Sequence, residues 1–176
     1  NIPKDIDAAY YLVHSMSNSS NYEALEKQSS INFRNALKDT KIKHLIYLSG
    51  IINQGELSQH LKSRKNVEIE LKKGDYSLTT LRAGIIIGSG SSSFEIIRDL
   101  VEKLPVMVTP KWLNTKSQPI SIKDVILFLS KSLLKEETYN KDFDIGGREV
   151  FSYKEMLLNF AKQRGLKRRI LILPVM

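Results

Sequence analysis

The sequence predicts an α/β fold built on a doubly wound parallel sheet. Three apolar runs of strand length alternate with two stretches of helical periodicity, which is how a parallel sheet covered by helices on both faces reads. Clusters of Ser, Asn and Gly punctuate the runs. The 176 residues, 41% hydrophobic and 26% charged, suffice for a soluble domain with a real core.

The first run, AAYYLVH (8–14), lies between PKDID and SMSNSSN and reads as a buried strand followed by a loop. From Tyr22 to about Lys38 the pattern turns helical, with Ala24, Leu25, Phe33, Ala36 and Leu37 expected on the apolar face. KHLIYLSG (43–50) is the second strand. A polar helix from about Leu57 to Lys73 follows, closed by Gly74, and YSLTTLRAGIIIG (76–88) supplies the third strand. Three parallel strands alone would leave unpaired edges, whereas doubly wound sheets usually hold five or more. The reading is therefore of a fold whose first half is absent. The opening NIPKDIDAAYYLVH, with no initiator Met and no leader pattern, reads as the start of a fragment. The closing LILPVM stops on a strand-like run, so a further C-terminal domain is expected to be missing as well.

Beyond Ser92 three helices are announced by capping signals. Ser92 with Glu95 and Ser152 with Glu155 fit the Ser-x-x-Glu box, and Ser121 with Asp124 is a weaker version. The second helix of the three would bury Val125, Phe128, Leu129 and Leu133, the third Met156, Leu157, Phe160 and Ala161. Short strands at Val106–Thr109, Phe143–Gly147 and Arg169–Val175 separate them.

Composition removes several functions. The chain has no cysteine, which excludes disulfides, thiol catalysis and thiolate metal sites, and three scattered histidines predict no metal centre. No apolar run approaches the roughly 20 residues that span a bilayer. The net charge of +8 is densest at KQRGLKRR (162–169). That cluster sits where a helix ends, and basic residues there complement the helix dipole, so it reads as solvated surface and argues against nucleic acid as a partner.

RAGIIIGSGSSSFEIIRDL (82–100) runs from strand through a small-residue loop into a helix, a sound anion site. Its GSGSSS gives G-x-G-x-x-S in place of G-x-G-x-x-G, no acidic residue follows in the MVTPKWL region about 20 residues on, and no Walker Gly-Lys-Ser/Thr is present. Two readings stay open from these residues: a first dinucleotide-binding turn, or a later strand-to-helix loop, which still lies where ligands bind in open α/β sheets.

Together AAYYLVHSM, KHLIYLSG, HLKSRKNVEIEL, LTTLRAGIIIGSGSSSFEIIRDLVEKLPVMVTPKW, QPISIKDV and FDIGGREVFSYKEML resemble atypical short-chain dehydrogenase/reductase proteins. The resemblance is greatest to the NAD(P)H-binding, nucleoside-diphosphate-sugar-epimerase-like group near the NmrA-like proteins. It implies the C-terminal part of a Rossmann NAD(P)-binding fold: residues 1–90 as its second half and 91–176 as a small α/β substrate-side region, with the fingerprint half absent. The glycine and serine loop then belongs to the later position. The cofactor would be NADP or NAD, touched by Val13, His14, Ser15, Ser49, Arg64, Ala83, Gly84 and Ile85. Gly88, Ser89 and Gln118 would face the substrate. Catalysis in the wider family resembles proton transfer through a Tyr-x-x-x-Lys pair helped by a Ser. Ser49 matches the Ser, but His60 and Arg64 stand where Tyr and Lys would. His60 could exchange a proton near neutrality, whereas Arg64 could supply charge but not release its proton.

The implied function is an NAD(P)-dependent oxidoreductase or sugar-nucleotide epimerase acting on a small molecule, in the cytoplasm, with a homo-oligomer compatible. The alternative is a non-catalytic NAD(P)H sensor or assembly subunit, which the missing Tyr-x-x-x-Lys favours. His44 is expected to pack locally, and Tyr10, Tyr11, Tyr47 and Trp112 to serve the core.

Overall fold

The computed structural model describes residues 2–13, 22–51 and 59–173, with Gln59 and His60 described by backbone alone. In chain order the elements are β1 (Ala8–Tyr11), α1 (Tyr22–Leu37), β2 (His44–Gly50), α2 (Gln59–Leu71), β3 (Ser77–Ala83), β4 (Ile86–Ile87), α3 (Ser92–Lys103), β5 (Val106–Pro110), β6 (Lys116–Ser117), β7 (Ile120–Ser121), α4 (Ile122–Ser132), β8 (Asp142–Ile145), β9 (Phe151–Ser152), α5 (Tyr153–Gln163) and β10 (Arg169–Leu173). They form two compact units, 1–83 with 126–145, and 84–125 with 146–176. No described helix is long and apolar enough to cross a membrane.

The first unit is a parallel sheet in the order β1-β2-β3-β8. It confirms the α/β class and its strand-helix-strand alternation. One face carries Leu45, Tyr47 and Leu78 into a core with Tyr11, Leu37, Val67 and Leu71, under α1 and α2. Tyr11 meets Phe33 and Tyr47 edge to face at 5.1 and 5.8 Å, the arrangement that ring quadrupoles favour. The buried side of α1 differs from the expected one. Leu25 is half exposed, while Glu26 and Ser30 are buried with Leu37. Both polar groups are satisfied: Glu26 accepts from the Ser63 hydroxyl of α2, and Ser30 donates to the Lys27 carbonyl at 2.7 Å.

On the sheet's lower rim His44 is fully buried. Its Nδ1 accepts from the Leu134 backbone N–H at 3.1 Å, so Nε2 carries the proton and donates to Thr79 Oγ1 at 2.8 Å. Thr79 in turn donates to the Thr138 carbonyl at 2.7 Å. Burial lowers the His44 pKa below its ordinary 6.5. The folded protein therefore refuses a proton that the unfolded chain accepts. The His44 contribution to stability is complete above pH 6.5 and falls as the pH drops through 6.5 toward the lowered folded value. Urea melts at pH 7.5 and 5.5 should show a lower midpoint at 5.5, with the difference reduced in His44→Gln. An equal pH shift in both proteins would contradict this account.

The second unit has its own core of Ile85, Ile97, Val101, Met107, Leu113, Met156, Leu157 and Ala161. Phe94 of α3 meets Phe160 of α5 edge to face at 5.6 Å. Three two-stranded sheets complete it: β4 with β7 and β5 with β10, both parallel, and β6 with β9, antiparallel.

Several expected boundaries shift. The first strand ends at Tyr11 rather than His14. The single run 76–88 divides into β3 and β4, because Ala83 ends the ladder with β2 and β8 whereas Ile86 and Ile87 pair with β7. The Ser152 box forms in full: Glu155 N–H donates to Ser152 Oγ at 3.1 Å, and Ser152 N–H donates to the Glu155 carboxylate at 2.7 Å. Asp124 N–H likewise donates to Ser121 Oγ at 3.1 Å. The Ser92 box does not form. Ser91 is the N-cap, its hydroxyl is spent on the Ile86 carbonyl at 2.6 Å, and Glu95 is drawn to Arg98. Of the expected α4 face, Val125 is buried, but Phe128 and Leu133 are more than 40% exposed.

Candidate functional site

In a parallel sheet all strands end on one side, and ligands bind beyond those carboxyl ends. Leu12 and Val13 follow β1 there and are exposed. Ser49 is the next-to-last residue of β2, and its register partner on β3 is Arg82. Beyond β2, Ile51 N–H donates to the Ala83 carbonyl at 3.2 Å, so the two strands stay joined to their ends.

Side chains two apart on a strand share a face, which puts Tyr47 and Ser49 together beneath α2. The Ser49 hydroxyl is buried and, among the described residues, has no hydrogen-bond partner of good geometry, its polar neighbour being the Tyr47 hydroxyl. Arg64, one helical turn after His60 on α2, has a buried Nε without a partner among the described residues. Tyr47 bridges them. Its hydroxyl donates to the Arg64 carbonyl at 3.4 Å, a long bond. Burial raises its pKa, against which the neighbouring Ser49 hydroxyl and the Arg64 charge work. Tyr11 beside it is pushed up to about 12, chiefly by burial and then by Tyr47 and Glu26. Both phenols are therefore neutral at physiological pH. A buried polar atom left unpaired costs about 1–3 kcal/mol, so Ser49 Oγ and Arg64 Nε are groups that a bound polar ligand or water would satisfy.

The structure thus brings Ser49 and Arg64 together beside Tyr47, an aromatic whose strand position in the sequence suits the core more than ligand stacking. The period-two spacing of Tyr47 and Ser49 was the available signal. His60 stands in the first turn of α2, its side chain outside the described part; His14 and Ser15 lie outside the described residues. Arg82, which opens the RAGIIIG run, is committed elsewhere: it binds Glu68 at 2.8 Å and Asp142 at 2.9 Å, tying β3 to α2 and β8.

In the second unit Gly84 is exposed and Ile85 is buried, its carbonyl accepting from Ile120 N–H at 2.9 Å. Gly88 lies against Ile122, which a Cβ would meet at 2.6 Å. Ser89 is exposed, and Gly90 turns the loop with a φ of 81°. Gln118 packs on Gly146 and donates its amide to the Gly147 carbonyl. Gly147 N–H donates to the Pro119 carbonyl at 3.0 Å. Gly88 and Gln118 are thereby each fixed by packing within this unit.

No protein-family model and no curated protein sequence matches the chain. Solved structures do. UDP-glucuronic acid 4-epimerase from Bacillus cereus, in complex with NAD, aligns with a TM-score of 0.78 at 17% identity over 97% of this chain and 62% of that one. A short-chain dehydrogenase/reductase superfamily protein from Agrobacterium tumefaciens with bound NAD gives 0.74 at 11% identity over 96% and 68%. The Bordetella bronchiseptica enzyme WbmG, in complex with NAD and UDP, gives 0.75 at 14% over 96% and 59%. The chain has the Rossmann-like fold of these proteins and spans about six to seven tenths of their length.

Proposed function

We propose that this chain supplies the nicotinamide and substrate side of an NAD(P)-dependent short-chain dehydrogenase/reductase-type enzyme, an oxidoreductase or sugar-nucleotide epimerase near the NmrA-like proteins. The observation that carries the reading is the buried, unpaired Ser49 hydroxyl beside Tyr47 and Arg64 at the carboxyl ends of parallel strands. The fold it shares with NAD-bound structures supports the choice of ligand. NAD or NADP, when bound, supplies hydride transfer.

In this reading Ser49 gives a hydroxyl and Arg64 a fixed positive charge to the nicotinamide ribose side, with backbone at Val13, Ala83, Gly84 and Ile85 as further cofactor contacts, together with His14 and Ser15. His60 exchanges the proton, since an unperturbed imidazole titrates near 6.5, while Arg64 retains its own. Gly88, Ser89 and Gln118 face a small-molecule substrate. In the same reading residues 1–90 are the second half of the cofactor-binding domain and 91–176 its substrate-side region, working in the cytoplasm. The non-catalytic sensor is the second reading, favoured by His60 and Arg64 at the Tyr-x-x-x-Lys positions.

Saturation-transfer NMR with NADPH and NADH checks the assignment. The nicotinamide and adjacent ribose protons should receive the strongest transfer, and Arg64→Ala should weaken binding about tenfold, the loss of one charge-assisted contact. Strongest transfer to adenine, or none at all, would overturn it. Cofactor-dependent conversion of a UDP-sugar that His60→Ala lowers by about 100-fold or more selects the enzyme; binding with no conversion selects the sensor.

A further inference from the structure

Strands alternate their side chains between two faces, and the β5–β10 ladder has very different faces. One turns Met107 and Ile170 into the core of the second unit. The other presents Val106, Val108, Leu171 and Leu173, each 48–60% exposed, together with Arg169. The parallel register sets Leu171 opposite Val108 and Arg169 opposite Val106, so the aliphatic side chains form two adjacent rows. Parallel sheets are almost always covered by helices on both faces, and among the described residues this one is covered on one.

The rim of that face is basic. Residues 160–173 contain Lys162, Lys167, Arg168 and Arg169 together with Arg164, and no acidic residue. Two of these are committed: Arg168 donates to the Val101 and Glu102 carbonyls, and Arg164 pairs with Glu102 at 3.0 Å. Among the described residues, no carboxylate pairs with Lys162, Lys167 or Arg169. These three line one open cleft with Val106, formed where Gly165, at a φ of 68°, turns the chain from α5 toward β10. Apolar rows and unneutralised cations are thus continuous.

We propose that this face docks an amphipathic helix whose apolar stripe lies along Val106, Val108, Leu171 and Leu173 and whose flanking carboxylates meet Lys162, Lys167 and Arg169. The width of two strands, about 5 Å apart, suits a single helix of roughly 10 Å diameter. The aliphatic rows offer nothing for bases to stack on, which argues against a nucleic acid. The inference is independent of the proposed function, because none of these residues belongs to its site.

The test is fluorescence anisotropy with a labelled 18-residue helical peptide carrying Leu at i, i+3, i+4 and i+7 spacing and Glu on both flanks, beside a twin with Lys for Glu. The Glu peptide should bind at least about tenfold more tightly than its twin, and added salt should weaken it. Leu171→Asp, on an exposed surface and checked by an unchanged melt, should abolish binding; Lys167→Glu with Arg169→Glu should weaken it about tenfold. Absence of binding, equal affinity for both peptides, or undiminished binding by Leu171→Asp overturns the proposal. So does capture by phosphatidylglycerol vesicles, or concentration-dependent self-association, if either depends on Leu171 while the Glu peptide fails to compete.

Discussion

Gly147→Ala unfolds the second unit or costs it about 3 kcal/mol or more, the range of forced overpacking at its severe end. A Cβ at this position would stand 2.4 Å from the Pro119 carbonyl oxygen. That atom is backbone, so it cannot rotate aside as a side chain would. It is also the acceptor for Gly147 N–H at 3.0 Å, and the Gly147 carbonyl holds the Gln118 amide. Any retreat therefore loses two hydrogen bonds as well as packing. Gly90→Ala is the control. Its Cβ would meet nothing within 4 Å, and only the φ of 81° opposes it, a strain of about 1–2 kcal/mol. Denaturant melts of the two variants should separate clearly, with Gly147→Ala the less stable. Coincident midpoints would mean that the approach of Pro119 to Gly147 is looser than described.

Tyr47→Ala should destabilise the first unit by about 3–5 kcal/mol, the range for emptying an aromatic side chain from a packed core. The residue is fully buried and its ring supports that of Tyr11. Tyr47→Phe keeps the ring and removes the hydroxyl, with its long hydrogen bond to the Arg64 carbonyl and its interactions with the Ser49 and Arg64 side chains, a loss of about 1 kcal/mol. The pair separates two roles. If Tyr47 serves packing alone, Phe restores both stability and NADPH binding. If its hydroxyl also positions Arg64 and Ser49, Phe restores stability and leaves nicotinamide-proton saturation transfer reduced.

Strands β1 and β2 of the first unit were legible because their runs are largely apolar: KHLIYLSG reads as a buried strand in any context, and β2 is one. Where reading failed, the deciding partner was distant in sequence. Periodicity placed Ala24, Leu25 and Ala36 inward on α1, yet Glu26 takes a buried place because Ser63, 37 residues on, satisfies its carboxylate. LTTLRAGIIIG has no turn signal except the single Gly84, so nothing local reveals that its two ends pair with different strands. GSGSSSF offers several serines as caps, and the choice fell to Ser91 because the Ile86 carbonyl lies within its reach. Ser49 and Arg64 were marked by resemblance, whereas the phenol between them was concealed by its own role in the core.

The two units interleave along the chain, since β8 belongs with β1, β2 and β3 although residues 84–125 intervene. A ribosome delivers the chain from one end, so β3 emerges as an edge strand and waits for β8, whose first residue lies 59 positions after Ala83. During that interval the open edge of β3 is available to any other extended segment, including the same edge on a neighbouring nascent chain. Arg82, on that edge, carries a charge whose partner Asp142 arrives only with β8. Glu68 of α2 is already there to receive it, and the arrival of Asp142 completes the clamp that closes the sheet.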